Sequence, residues 1–284
     1  MSIDEAGLAF AHARRVRGAK AHVDSYAVDR NKRDLAPGVH CTTLLRAGEY
    51  DLMMVEAPNV PRAEMKNALR WKVKDMVDYP ITEATVDFLE IPPEPGAAAG
   101  RIQQLYAILA KNELVQERIE QFERAGIPLR VIEVPETAQR NIAVLYEDAE
   151  RGVALAYFGP DAGLLTITHR GELYLSRRLD VGVEALANDP DGEDGGPLER
   201  VALEIQRTLD HFERQFRHVA VGKLLLAPTG RPTRLPEILR ARFELRVESI
   251  DLTEVLAFSG AAPDGPTQWR LFHHFGAALR EGAA

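Results

Sequence analysis

A chain of 284 residues, 45% of them apolar and 27% charged, has the length for two domains and the make-up of an ordinary globular protein. Its formal charge of −8 disfavours nucleic acid as the main partner, because phosphate binding needs a basic surface. The one cysteine, Cys41, excludes an intrachain disulfide and a multi-cysteine zinc site, which fits a reducing compartment.

Gly7–Arg15, Lys20–Val28 and Glu49–Val55 alternate as strands, parted by Arg17-Gly18 and Pro37-Gly38. The cations Arg14, Arg15, Arg17, Lys20, Arg30, Lys32 and Arg33 gather around these strands and read as a solvated hairpin edge rather than a lipid-facing patch. Met65, Leu69, Val73 and Met76 recur at steps of four and three, so the spacing predicts a helix from Pro61 to a stop at Tyr79-Pro80. A strand over 84–91, a breaker-rich loop over Pro92–Gly100 and a strand over Leu105–Ala110 follow. Asn112 is placed to cap a helix with Val115, Ile119 and Phe122 on one face, and Gly126 to end it. Val131–Glu136 reads as a further strand.

Beyond Gly152, Val153–Phe158, Gly163–Thr168 and Glu172–Arg178 make three strands, with His169-Arg170-Gly171 as a tight turn. Asn188–Pro197 is an acidic, Gly-rich loop. Leu198, Val201, Ile205, Leu209, Phe212 and Phe216 define a long one-faced helix, Lys223–Ala227 a buried strand and Leu235–Arg242 a short helix. Trp269, Phe272 and Leu279 share a face of the last helix. No apolar run approaches the roughly 18 to 20 residues that span a bilayer, and Met1–Glu5 is unlike a signal peptide. The expectation is a cytoplasmic chain with no direct membrane span, any membrane attachment being indirect.

The wording Ala68-Leu69-Arg70-Trp71-Lys72, Asp78-Tyr79-Pro80-Ile81 and Val86-Asp87-Phe88 resembles the PilM class of type IV pilus assembly proteins, and within it the MshI-like members of MSHA-pilus biogenesis. Val131–Glu136 is similar to the return strand of that class. Glu204-Ile205-Gln206-Arg207-Thr208-Leu209-Asp210 is similar to its Glu-Ile-x-Arg-Ser-Leu-Asp helix, with Thr208 for serine and His211 before the aromatic. Phe275-Gly276-Ala277-Ala278-Leu279-Arg280-Glu281 is similar to its closing Gly-x-Ala-Leu-Arg-Glu. The resemblance implies an α/β, bilobal actin-like fold of the duplicated ribonuclease H kind. The first lobe would be 1–150 with an inserted subdomain at about 60–128, and the second 151–284 with a smaller subdomain at about 184–221.

Such folds hold nucleotide phosphates on backbone N–H groups of glycine turns, beside a carboxylate that positions magnesium. By resemblance a vestigial nucleotide site would comprise Gly159, Asp161, Gly163, Gly182 and Gly230. Tyr157-Phe158-Gly159 stands where the class has Asp-Ile-Gly, and Ala227-Pro228-Thr229-Gly230-Arg231-Pro232 replaces a run of glycines. No ATPase activity is therefore expected, and no cofactor, ATP with magnesium being the ligand such folds otherwise take. Adjacent His273 and His274 point about 100° apart on a helix and cannot easily share a metal, so no metal and no catalytic residue is expected. No Walker loop and no nucleophile elbow is present.

The helix and its stop are the better functional candidate. Arg70, Trp71, Lys74 and Tyr79, with Pro80, lie off the apolar stripe, and Trp, Tyr and Arg are frequent binding hot spots. The competing reading is that Trp71 packs within its own fold. By resemblance the cytoplasmic tail of a PilN-like, MshJ-type inner-membrane protein would lie against these residues in extended form, with the pilus assembly motor as a further partner. An ATP-binding actin-like switch or weak ATPase, and a GspL-like cytoplasmic domain of type II secretion, stay open as alternatives.

Overall fold

The computed structural model describes residues 1–4, 7–14, 20–29, 41–94, 96, 103–148, 150–189 and 195–280. Arg15, Arg17, Arg30, Lys32 and Arg33 of the expected basic cluster lie outside the described residues, as do Pro37-Gly38, most of 95–102, 190–194 and Glu281. The chain opens with an antiparallel meander, β1 (Ser2–Asp4), β2 (Gly7–Arg14) and β3 (Ala21–Asp29). Next come β4 (Cys41–Leu44), β5 (Asp51–Glu56), α1 (Met65–Val73), β6 (Ala84–Glu90), β7 (Gln104–Lys111), α2 (Asn112–Arg124) and β8 (Leu129–Glu133). The remainder runs α3 (Pro135–Ala143), β9 (Gly152–Phe158), β10 (Gly163–His169), β11 (Glu172–Leu179), α4 (Val183–Ala187), α5 (Pro197–Gln215), β12 (Val221–Leu226), α6 (Leu235–Arg242), β13 (Arg246–Ser249), β14 (Leu256–Phe258) and α7 (Gly265–Ala278).

Contacts group these elements into two compact units, one of Met1–Arg33 with Pro135–Ala284 and one of Asp34–Val134. The lobes expected from the sequence meet at residue 150, which is not a boundary between these units. The reason lies within the first unit: β14 pairs in parallel with β3, and α3 packs on α7, so early and late segments share one core. The insert expected at 60–128 falls inside 34–134, enlarged by the parallel pair β4–β8.

In the first unit one sheet has the order β11-β10-β9-β12-β13: an antiparallel meander continued by two parallel strands. The meander closes through Arg170 and Gly171, both at positive φ (52° and 77°), the backbone that a two-residue turn between right-twisted strands demands. Ile142, Leu155, Leu225, Leu271, Phe272 and Phe275 form the core beneath it. On α5 the expected face Leu198, Val201, Ile205, Leu209 and Phe212 is buried, while His211 faces solvent. Thr208 donates its hydroxyl to the Glu204 carbonyl at 2.7 Å, a bond that a serine there could make equally well.

The second unit is built on a three-stranded antiparallel sheet, β5-β7-β6. Strand alternation sends Leu105, Ala107 and Leu109 to Met65, Leu69 and Val73 of α1, and Ile108 and Ala110 to Leu114 and Val115 of α2.

Several expectations need correction. The helix predicted from Pro61 to Pro80 is a single 3-10 turn (Arg62–Glu64) followed by α1, which already ends at Val73. Val77 and Tyr79 both turn in to cover the sheet; on a continuing helix two positions apart point about 200° apart and could not. Met76, expected in the apolar stripe, is left 53% exposed by that turn. Asn112 is not the cap of α2: its amide donates to the Thr82 carbonyl and its oxygen accepts from Thr85, while Lys111 takes the cap position. Glu136 is not in a strand but in α3, whose buried Thr137, Gln139 and Asn141 hide its apolar period. Strands β1, β4, β13 and β14 are each four residues or fewer and carry no clear alternation.

Candidate functional site

The five glycine-turn residues gather in the first unit around the β9–β10 hairpin. Gly159 donates its N–H to the Ala162 carbonyl at 2.9 Å and accepts from the N–H of Val183 at 2.8 Å, which ties the hairpin to the start of α4. Gly182 lies flush against the loop: a Cβ there would stand 1.9 Å from the Pro160 carbonyl oxygen. Gly163 faces the Phe158 ring, 2.8 Å from where its Cβ would be, and Asp161 is exposed at the loop. Gly230 is brought in by a residue that sequence reasoning assigned only to a helix face. The Trp269 ring lies 2.5 Å from a Cβ placed on Gly230, and its Nε1 donates to the Phe158 carbonyl at 2.7 Å.

The glycine gaps are thus filled by the chain's own carbonyl and rings. Tyr157 points inward: its ring stacks on Phe272 at 5.2 Å, its hydroxyl donates to the Trp269 carbonyl at 3.3 Å, and burial pushes its pKa up. Arg231 and Glu184, paired at 2.7 Å, join the Gly230 loop to α4. The N–H groups of Gly159 and Val183 are thus spent on carbonyls of the chain, and Tyr157 brings a buried phenol to the hairpin where Asp161 stands exposed at the loop.

Behind the hairpin Gln139 of α3 is fully buried. Its two Nε2 hydrogens are shared among the Leu155 carbonyl (2.7 Å), the Leu164 carbonyl (3.1 Å) and Thr166 Oγ1 (3.0 Å), and its Oε1 faces His273 Nε2 at 3.2 Å. Burial pulls the pKa of His273 down to about 3 and that of His274 in the same direction, so both rings are neutral at pH 7. Among the described residues no group of three His, Cys, Asp or Glu side chains is arranged to hold a metal ion.

The residues singled out for partner binding lie in the second unit. Trp71 is 74% exposed, so it does not pack within its own unit. Arg70, Lys74 and Pro80 are at the surface too, and Arg70 also donates to the Ala84 carbonyl at 3.3 Å. Tyr79 departs from the expectation. It packs on the core beneath α1, its hydroxyl donates to Asp51 at 3.3 Å, and Lys111 Nζ lies 5.1 Å from its ring centre. Burial first, then the Asp51 charge, pushes its pKa up to about 12. Tyr79 therefore fixes the segment after α1 to β5 and offers a partner little. Arg118 is a structural residue the apolar periodicity missed: buried on α2, it meets both Glu49 carboxylate oxygens at 3.0 Å.

The sheet in which a meander is extended by parallel strands, with helices packed on it, makes this an α/β protein. Along nearly its whole length the chain is similar to a chain of a PilM–PilN type IV pilus biogenesis complex, with 18% identity, 98% of this chain and 95% of that one covered, and a TM-score of 0.70. Weaker likenesses are to the cytoplasmic domain of EpsL, an inner-membrane component of the type II secretion system of Vibrio cholerae, and to a Bacteroides thetaiotaomicron protein of actin-like ATPase fold. The first has 13% identity, coverage of 93% and 95%, and a TM-score of 0.45; the second 10%, 96% and 98%, and 0.47. Neither a family model nor a curated protein matches the sequence. Among the described residues no helix is long and apolar enough to cross a membrane.

Proposed function

We propose that this chain is a cytoplasmic scaffold of a type IV pilus assembly platform of the MSHA-like kind. In this role it holds the cytoplasmic tail of a PilN-like, MshJ-type inner-membrane protein and passes contacts on to the assembly motor. The observation that carries the reading is the correspondence with the PilM–PilN chain over 98% of this sequence at a TM-score of 0.70. The wording of residues 64–88 supports the MSHA-like branch. The scaffold works without ATP hydrolysis, a reading supported by Tyr157 and Trp269 occupying the glycine-turn region.

The test is retention of the full chain on an immobilised peptide that reproduces the cytoplasmic tail of the PilN-like protein from the same genome. Wild-type protein is expected to be retained, and failure to be retained overturns the proposal. A parallel melting curve with saturating Mg-ATP is expected not to move, since a ligand of the folded state would raise the midpoint.

A further inference from the structure

The solvent face of α1 combines two properties that belong together at a lipid surface. From Met65 to Lys74 the sequence has four cations, Lys66, Arg70, Lys72 and Lys74, and no acid; Asp75 and Asp78 follow in the turn. All four cations are exposed. Trp71 stands between them, 74% exposed, and Met76 follows at 53%; these are the large hydrophobic side chains left exposed among the described residues. Two cations meet carboxylates of their own unit, Lys66 with Asp87 at 2.9 Å and Lys72 with Glu56 at 3.5 Å. These pairs are between exposed groups in water, so they hold the lysines only weakly and leave them free to turn outward.

The surroundings of Trp71 decide between a lipid surface and a protein segment. One turn back on α1 its neighbours are Asn67 and Ala68, Arg70 and Lys72 stand beside it in sequence, and Lys74 and Asp75 follow just past the helix end. Anchors of protein segments cluster in well-packed, desolvated pockets, and here a lone indole rises from a ring of mostly polar groups. A fluid headgroup region takes such an indole at its own level while the cations meet lipid phosphates. We propose that the α1 face rests on an anionic bilayer, with Trp71 and Met76 inserted and Lys66, Arg70, Lys72 and Lys74 on the headgroups. This goes beyond the scaffold reading, which needs only a protein tail, and assigns Trp71 to the bilayer and not to that tail. A face of this size gives a reversible, salt-sensitive hold, and tail and bilayer together bind more firmly than either alone.

Vesicles of equimolar phosphatidylglycerol and phosphatidylcholine, against pure phosphatidylcholine, test this by co-sedimentation of the full chain. Wild-type protein is expected to sediment with the anionic vesicles only, and to be released at about 0.5 M salt. Lys72→Glu and Lys74→Glu are each expected to weaken binding at least about fivefold, and the double variant Trp71→Ala/Met76→Ser to abolish it. The protein has two tryptophans, so in Trp269→Phe the emission of Trp71 alone should shift to the blue and be quenched by brominated lipid chains. Absence of wild-type sedimentation overturns the inference, as does a Trp71→Ala/Met76→Ser variant that sediments like wild type. The same double variant is expected to stay on the tail peptide. If it leaves the peptide yet keeps the vesicles, the face serves the tail and the inference falls. If wild type binds vesicles but never the peptide, the scaffold reading falls and the inference stands.

Discussion

Replacing Gly276 by alanine should loosen the first unit more than its size suggests. At this point α7 crosses α3 at backbone contact: a Cβ on Gly276 would lie 2.1 Å from the Ala138 carbonyl oxygen and 2.6 Å from its carbon. A carbon approaching a carbonyl oxygen settles near 3.3 Å, so the two helices must part by about 1 Å. Ile142, Phe272 and Phe275, all fully buried at this crossing, then lose a quarter to a half of their dispersion contact across the gap. The bond from Asn141 Nδ2 to the Gly276 carbonyl, 3.0 Å long, is pulled as well. Overpacking of this kind costs about 1–3 kcal/mol, and backbone on both sides puts this case near about 3 kcal/mol. That corresponds to a fall of roughly 6–12 °C in the midpoint for a unit of this size. Urea unfolding read from Trp269 fluorescence in a Trp71→Phe background isolates the unit that contains Gly276. Gly260→Ala, where a Cβ meets nothing within 4 Å, serves as the neutral control. A Gly276→Ala unfolding free energy within about 0.5 kcal/mol of that control would refute the reasoning.

Two further outcomes follow from the buried polar groups. Because the folded pKa of His273 is held down to about 3, the unfolded chain alone takes up its proton as pH falls below about 6.5. Stability should be flat above that pH and drop by up to about 1.4 kcal/mol per pH unit below it, with His274 acting in the same direction. Urea midpoints at pH 7, 6 and 5 check this: His273→Gln should flatten the slope, and a wild-type midpoint that does not move would contradict it. Arg118→Ala should destabilise by about 2–3 kcal/mol, below the value for a fully buried pair because Glu49 keeps part of its surface in water. Circular dichroism during urea unfolding measures it, and a change under about 0.5 kcal/mol would show the pair to be idle.

What could be read from the sequence was whatever is local. The bounds of α6, the face of α5 and the Arg170-Gly171 turn all follow from period and turn chemistry within a few residues. Leu69 and Val73 were placed correctly because four-residue spacing is a strong signal, whereas Met76 was misplaced because the spacing continues past the point where the helix stops. Helix α3 was hidden by Gln139 and Asn141, polar residues that the core needs as donors to carbonyls. A position off the apolar stripe left Trp71 open between packing within its own fold and facing solvent, and only the structure decides for exposure. The role of Trp269 was not, since the glycine and carbonyl it meets come from other segments and leave no mark beside it. In the sequence Gly276 stands out only as part of a motif; its reason, a helix crossing too tight for a methyl group, exists only in three dimensions.

The pairing of β14 with β3 has a consequence for how the molecule is made. Residues 256–258 must leave the ribosome before the sheet begun at Ala21–Asp29 receives its last neighbour. The 34–134 unit is one unbroken stretch and emerges whole long before that. The newborn chain therefore carries an unfinished sheet edge for most of its synthesis, an invitation to wrong pairing that lasts until residues 256–258 arrive.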